Sequence, residues 1–259
     1  MLENQTLRRP AVSIVTVTYN AESTIGVTMK SVADQTASDY EHIIMDGASV
    51  DGTLDIVGRD GTPRTRVFSS RDQGIYDAMN KALGVAEGRY VLFLNAGDRF
   101  AAKDSLQRYI DAINSNDSPD IVYGQTVLTD LDGNVLGARH LEAPQKLDAD
   151  SFRQGMVVCH QAFMAKKDIA PLYDLNYRFS ADYEWCLRCL QNSKNNVYLG
   201  DDPVIHYLSE GMTTANHKAS LKERFRIMCR YYGTVPTVFR HIGFAFRHLK
   251  RRKKAVNRQ

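Results

Sequence analysis

The sequence predicts an α/β fold in which a mainly parallel sheet is flanked by helices, continued by a mixed α+β half and a basic C-terminal helical tail. Three observations predict it. β-Branched apolar runs alternate with helical periodicity from Val12 to Leu94, the pattern of strands joined by crossover helices. Beyond residue 120, hairpin turn chemistry replaces that alternation. From Lys222 onward, twelve Lys or Arg face one acid, Glu223, so the net charge of +3 divides into an acidic body and a basic end.

Taken in order, residues 1–9 read as a frayed terminus, and Val12 to Tyr19 (VSIVTVTY) as a β-branched strand. Asn20 and Ala21 turn the chain; Ile25, Met29 and Val32 give Glu22 to Ala33 a helical face. Tyr40 to Met45 forms a second strand closed by Asp46 and Gly47, followed by a short helix over Leu54 to Val57 and a third strand around Arg66 to Ser69. Ile75, Ala78, Met79, Ala82, Leu83 and Ala86 then recur at helical spacing, and Gly88 suits a left-handed helix end. Tyr90 to Leu94 lacks polar alternation, as a strand covered on both faces does. Asp104 is placed to cap a helix carrying Leu106, Tyr109, Ile110 and Ile113. Ile121 to Thr129 and Val135 to Arg139 flank a hairpin turn, Asp132-Gly133-Asn134. Gly155 to Ala165 is a further strand candidate, Ser180 caps a helix to Gln191, and Val197 to Leu199 and Val204 to Leu208 read as short strands. A helical tail starts near Ala215. The expected division is a main domain over 10–212 and a basic amphipathic extension over 213–259.

Composition narrows the classes. A chain of 259 residues with 43% hydrophobic and 24% charged residues can bury one large core. Four scattered cysteines do not make a disulfide framework. The first ten residues hold no apolar core of a secretory signal, and no run approaches the roughly 18 apolar residues of a membrane span. The expected location is therefore cytoplasmic.

Function is written at the strand ends. The four strands of the first half end in Thr18-Tyr19-Asn20, in Asp46-Gly47-Ala48-Ser49-Val50-Asp51-Gly52-Thr53, in Arg71-Asp72-Gln73-Gly74 and in Asn95-Ala96-Gly97-Asp98. In a parallel sheet these carboxyl ends share one rim, where ligands collect. They supply an aromatic face for a base, carboxylates for ribose hydroxyls or base N–H groups, and an acid for a metal on phosphates. Neither a GxxxxGK loop nor a GxGxxG turn follows the first strand, so P-loop enzymes and Rossmann dehydrogenases lose support.

VSIVTVTYN, IIMDGASVDGT and DQGIYDAMNKALGVAEGRYVLFLNAGD together resemble glycosyltransferase family two, with its GT-A fold. More narrowly they are similar to a bacterial polysaccharide-biosynthesis branch that includes colanic-acid-type glycosyltransferases. The resemblance runs from about Val12 to Met212. It implies a nucleotide-binding sheet with an acceptor-side second half, a nucleoside-diphosphate sugar donor, transfer to a hydroxyl, and a divalent metal, Mg or Mn. On the family's motifs, Thr18, Tyr19 and Asn20 would border the nucleobase. Asp46 would bind base or ribose with Asp51 supporting its loop, and Asp72 would join the nucleoside pocket. Asn95 to Asp98 stands where the family carries DxDD; with Asn95 and Gly97 in place of acids, only Asp98 keeps a charge for the metal. One carboxylate, diphosphate oxygens and waters can hold such a cation.

The catalytic base is expected from the second half. Ser180-Ala181-Asp182-Tyr183-Glu184 resembles the family's Glu-Asp element, and Asp182 matches its Asp; the other reading of Asp182 is a carboxylate stabilising a helix N-terminus. Glu184, four residues before Arg188, is placed for a surface ion pair, with Tyr183, Cys186, Leu187 and Leu190 on the core face. His206 is either a late metal ligand or a structural histidine. His160 and Gln161 line the acceptor pocket or bond across the sheet, and Lys81 reaches the diphosphate or solvent. The Cys186–Cys189 pair reads as packing.

In the tail, Phe239, Ile242, Gly243, Phe246 and Leu249 can share a face, surrounded by Arg240, Arg247, Lys250, Arg251, Arg252, Lys253 and Lys254. Such a stripe over 236–254 fits an anionic membrane surface, against a solvated charged tail or nucleic acid; nucleic acid is not the expected partner. The implied activity is inverting transfer of one sugar to a saccharide, lipid-linked on the tail and family analogy, by an enzyme peripheral to the inner face of the cell membrane. The rivals are a non-catalytic sugar-nucleotide-binding subunit and a sugar-nucleotide nucleotidyltransferase.

Overall fold

A computed structural model describes residues 9–209 and 217–243. Its first half is the expected alternation: β1 (Val12–Thr18), α1 (Ile25–Ala33), β2 (Tyr40–Asp46), α2 (Thr53–Asp60), β3 (Thr65–Ser69), α3 (Ile75–Val85) and β4 (Tyr90–Phe93). Then come β5 (Arg99–Phe100), α4 (Ser105–Ser115), the hairpin β6 (Ile121–Thr129) and β7 (Val135–Ala138), β8 (Phe163–Lys166), α5 (Ala181–Asn192), β9 (Asn196–Leu208) and α6 (His217–Tyr232). A further helical segment covers 234–243.

One sheet holds the strands in the order β3-β2-β1-β4-β8-β6-β9-β5, with β7 on β6. β3, β2, β1 and β4 run parallel. β8 pairs antiparallel with both β4 and β6, and β9 returns parallel to β6. The sheet is thus mainly parallel on its first side and mixed on its second.

β1, β2 and β4 are buried at every residue, so alternate side chains enter two different cores. Val15, Val17, Ile43, Met45, Val91 and Phe93 pack with α3, α5 and α6; Val12, Ile14, Tyr90 and Leu92 pack with α4. Ile44 meets Ile25, Met29 and Val57 of α1 and α2. Beneath the sheet's end, the Thr16 hydroxyl donates to the Leu94 carbonyl at 2.8 Å and so accepts from His42 Nε2 at 2.9 Å, which fixes the histidine's tautomer. Burial pushes the pKa of His42 down to about 3, and the ring stays neutral.

Several local expectations are corrected. Gly88 does not take a left-handed conformation; a Cβ there would lie 2.4 Å from the Ser13 nitrogen, so it is the close approach of this bend to β1 that requires glycine. Asp104 and Ser180 occupy N-cap positions without side-chain cap bonds. α1 starts at Ile25, three residues late, and α2 runs on to Asp60. Of the apolar run at 155–165, only Phe163 to Ala165 enters a strand, because His160 and Gln161 lie in a 3-10 turn over His160–Ala162 and bury their polar ends. The two short strands after 196 are one, broken in register around Gly200, which has φ of +91°.

α6 belongs to the main body. Ile227 and Met228 are buried in the larger core, and the Glu223 carboxylate accepts the backbone N–H groups of Arg178, Phe179 and Ser180. The expected boundary at 212/213 lies outside the described residues, as do Phe246, Arg247, Leu249 and 250–254 of the basic stripe.

Candidate active site

The carboxyl-terminal rim is knitted loop to loop. The Thr18 carbonyl accepts from Gly47 N–H at 2.9 Å. Asn20, with φ of +47°, accepts from Val50 N–H and donates its own N–H to the Ser49 hydroxyl. Asp51 accepts from Thr53 and from Glu22 N–H; the Thr53 hydroxyl, foremost, holds its carboxyl below the usual range. Asp46 is fully buried, its two oxygens taken by the Ser49 hydroxyl and N–H and by the Ser69 hydroxyl. It ties the ends of β2 and β3 together beneath the rim and does not face a ligand as expected. Tyr19 is 64% exposed, and Asp72 reaches its side: a Cβ on Gly47 would stand 2.6 Å from Asp72 Oδ2 and 3.3 Å from Tyr19 Cδ2. Asp72 Oδ1 also accepts Gly74 N–H.

The turn after β4 is clasped by α1. The Thr28 hydroxyl donates to the Asp98 carbonyl at 2.7 Å and accepts Gly97 N–H at 2.9 Å. Gly97 has φ of +98°, which favours glycine, and a Cβ on it would also push on Leu208 Cδ2 at 2.6 Å. Asp98 is 3% exposed. Its carboxylate accepts from Gln161 Nε2 at 2.8 Å and Leu208 N–H at 2.9 Å. The Cys159 thiol donates to Gln161 Oε1, which orients that amide. Burial outweighs both hydrogen bonds and pushes the Asp98 pKa up to about 7. Beside it, Thr18 Oγ1 and Asn95 Oδ1 are buried and have no hydrogen-bond partner. Two orphaned oxygens and a buried carboxyl lining the same cleft are hard oxygen donors, of a kind that fits Mg²⁺ or Mn²⁺ rather than a soft metal. No group of three or more His, Cys, Asp or Glu that could hold a metal by itself occurs among the described residues.

The facing wall carries Asp182 on the first turn of α5. Its Oδ1 accepts Tyr183 N–H at 2.8 Å and the Tyr76 hydroxyl at 3.2 Å. Burial and the neighbouring Asp182 keep the Tyr76 phenol protonated. Tyr76 is held in an aromatic column: it stacks on Tyr173 at 5.5 Å, and Tyr173 stacks on Trp185 at 5.2 Å. His160 bonds the Tyr173 hydroxyl at 2.6 Å and packs on Phe93; burial lowers its pKa to about 4.

These walls enclose one cleft of about 440 Å³. Of the expected site residues, Thr18, Tyr19, Asn95, Asp98 and Asp182 line it, with His160 and Gln161. Asn20, Asp46, Asp51, Asp72, Lys81 and His206 do not. Lys81 donates to the Arg71 carbonyl and pairs with Asp77, partly exposed and outside the cleft lining. His206 lies opposite Arg99 of β5, and burial with that guanidinium lowers its pKa. Glu184 does pair with Arg188, at 2.7 Å, but in the interior: it is 2% exposed and also accepts from the Tyr231 hydroxyl. The sequence reading missed Thr28 and Tyr76, and with them Arg139, Arg178 and Arg224, which also line the cleft. Tyr76 stands within the densest motif stretch and was findable there; single arginines in three separate segments carry no spacing signal.

The chain is similar to known glycosyltransferases. The model of Glycosyl transferase family 2 matches residues 13–170. A PGL/p-HBAD biosynthesis glycosyltransferase of Mycobacterium bovis is 33% identical over 190 residues, 71% of each chain. Crystalline S. aureus TarS in complex with UDP-GlcNAc superposes with a TM-score of 0.69 at 19% identity, over 84% of this chain and 64% of that one. The mannosyltransferase PcManGT from Pyrobaculum calidifontis, in complex with GDP-Man and Mn²⁺, gives 0.63 at 16% identity, over 86% and 65%. The chain thus spans slightly under two thirds of both solved proteins, and shares with them a GT-A-like fold.

Proposed function

The chain belongs to glycosyl transferase family 2 and is a glycosyltransferase, and we propose that it is an inverting enzyme of cell-surface glycan biosynthesis. It moves one sugar from a nucleoside-diphosphate sugar to a hydroxyl of a lipid-linked saccharide. The observation that supports this reading is that Thr18, Tyr19, Asn95, Asp98 and Asp182, far apart in sequence, line one cleft.

The donor lies along the first wall. Tyr19 offers its ring to the base, and Asp72 flanks it across Gly47. Asp46, Asn20 and Asp51 act as positioning residues that hold the loops. The acceptor hydroxyl sits at Asp182. Because Oδ1 is occupied by Tyr183 and Tyr76, Oδ2 is the atom that takes the proton. The hydroxyl oxygen forms its bond to the anomeric carbon from the face opposite the diphosphate. The bond from that carbon to the diphosphate breaks, its electron pair leaves with the nucleoside diphosphate, and configuration inverts. Asp98, with Asn95 Oδ1 and Thr18 Oγ1 at hand, would hold a divalent cation. When bound, that cation offsets the negative charge on the departing diphosphate.

Transfer takes the chain through α6, whose Arg224 lines the cleft, and membrane contact falls to 233–259. On the segment 234–243, Val235, Val238, Phe239 and Ile242 are exposed at helical spacing. No helix among the described residues is long and apolar enough to cross a membrane. An exposed apolar stripe leading into 250–254 supports a peripheral site on the cytoplasmic face.

A thermal-shift screen of nucleotide sugars, with and without Mn²⁺, tests the donor half. At a hundredfold excess over Kd one donor should stabilise the fold by about 2.7 kcal/mol, raising Tm by about 5–10 °C. A panel that leaves Tm unmoved sinks the reading.

A further inference from the structure

The cleft holds more positive charge than glycosyl transfer at Asp182 and Asp98 accounts for. Arg139 follows β7, Arg178 precedes α5 and Arg224 projects from α6, and all three line it. None of them forms an ion pair among the described residues. Each is held by contacts that leave donors over. Arg139 gives one N–H to the Met156 carbonyl at 3.1 Å. Arg178 lies over the Phe179 ring and Arg224 over the Tyr183 ring, 5.7 and 5.5 Å from their centroids. Arg224 Nε is buried with no hydrogen-bond partner at all. A buried guanidinium N–H without an acceptor is costly, and an oxyanion is the group that the planar fork of arginine fits.

Two oxyanions could reach this cleft, the diphosphate of the donor and an anionic group on the acceptor. Placement separates them. The donor's wall is built by the ends of β1 and β4. Arg178 instead stands four residues before Asp182, and Arg224 covers Tyr183, the residue after it. The loop carrying Arg178 is itself fixed by Glu223, the neighbour of Arg224 on α6.

We propose that Arg139, Arg178 and Arg224 form an oxyanion subsite on the acceptor side, so that the acceptor is an anionic saccharide carrying a phosphate or carboxylate near the hydroxyl that receives the sugar. This rests on the reading of Asp182 as the acceptor-side base.

The test is calorimetry on the full chain with inorganic phosphate as the probe, alone and after saturation with UDP or GDP. Phosphate should bind the nucleotide-saturated protein. Arg178→Gln and Arg224→Gln should each weaken phosphate by about tenfold while changing nucleotide affinity less than about twofold. Arg224→Lys keeps a charge over Tyr183 and should restore most of the loss, and Arg139→Gln gives an independent reading on a residue outside α6. Two results overturn the proposal. In one, UDP or GDP displaces phosphate and the glutamine variants weaken the diphosphate nucleotide tenfold but not its nucleoside, which assigns the arginines to the donor. In the other, no variant changes phosphate binding. If neither nucleotide binds yet phosphate binding still depends on the arginines, the anion subsite stands and the nucleotide-sugar reading falls.

Discussion

Replacing Asp182 by Asn removes a proton acceptor and little else. Asp182 Oδ1 accepts the Tyr183 N–H at 2.8 Å and the Tyr76 O–H at 3.2 Å, and the amide oxygen of Asn can accept both. The NH₂ group then stands where Oδ2 was, and it cannot take a proton. Folding stability should therefore change by less than about 1 kcal/mol. General-base catalysis is worth about 10²–10⁴ in rate, or about 3–5 kcal/mol of barrier. The assay is release of nucleoside diphosphate on transfer, with kcat and KM determined separately and donor affinity measured by calorimetry. Because the substitution removes only the proton-accepting atom of Asp182, donor Kd should hold within about threefold while kcat falls at least about a hundredfold. A variant of unchanged Tm whose kcat stays within tenfold of the parent would refute the assignment.

Three other outcomes are expected. His42 and His160 are neutral in the folded state, with pKa values of about 3 and about 4 against 6.5 unfolded, so the unfolded chain binds protons that the folded one refuses. Their contribution is complete above pH 6.5 and is lost as pH falls; each should cost about 2 kcal/mol by pH 5, and the change in stability of His42→Gln between pH 7 and pH 5, read from urea melts, should differ from the parent's by that amount. Gly47→Ala pushes a methyl against Asp72 and Tyr19, at the far ends of side chains, and should weaken nucleotide about tenfold with stability nearly unchanged; an unaltered nucleotide Kd would move the nucleoside elsewhere. A chain ending at Tyr232 retains Ile227, Met228 and the Tyr231–Glu184 bond, so it should keep its Tm but fail to sediment with anionic vesicles; undiminished sedimentation removes the membrane role of 233–259.

The parallel half was legible because its signals are local. Strands buried on both faces read as unbroken apolar runs, and α3 carries its stripe at helical spacing. Where the reading failed, the deciding contacts lie far away in sequence. Gly88 is a glycine for the sake of Ser13, seventy-five residues earlier. The stretch 155–165 has a strand's composition, yet His160 and Gln161 leave the strand to meet Tyr173 and Asp98. Glu184 and Arg188 have the spacing of a surface pair; that α6 covers Glu184 is not written in α5. The same holds for the site. Thr18, Tyr19, Asn95, Asp98 and Asp182 were found from strand ends and motif, whereas the burial of Asp46 depends on Ser49 and Ser69 together, and the arginines meet only when three separate segments fold.

The clamp of Glu223 on residues 178–180, with the bonds from Tyr231 to Glu184 and from Tyr232 to the Ala149 carbonyl, sets the order in which the enzyme becomes competent. During synthesis β1 through β4 emerge first, but the Asp98 carboxylate waits for Gln161 and Leu208, and the loop before Asp182 waits for α6. A stop codon before residue 217 removes the Glu223 clamp, so truncation should cost activity even when every segment from Thr18 to Asp182 is intact.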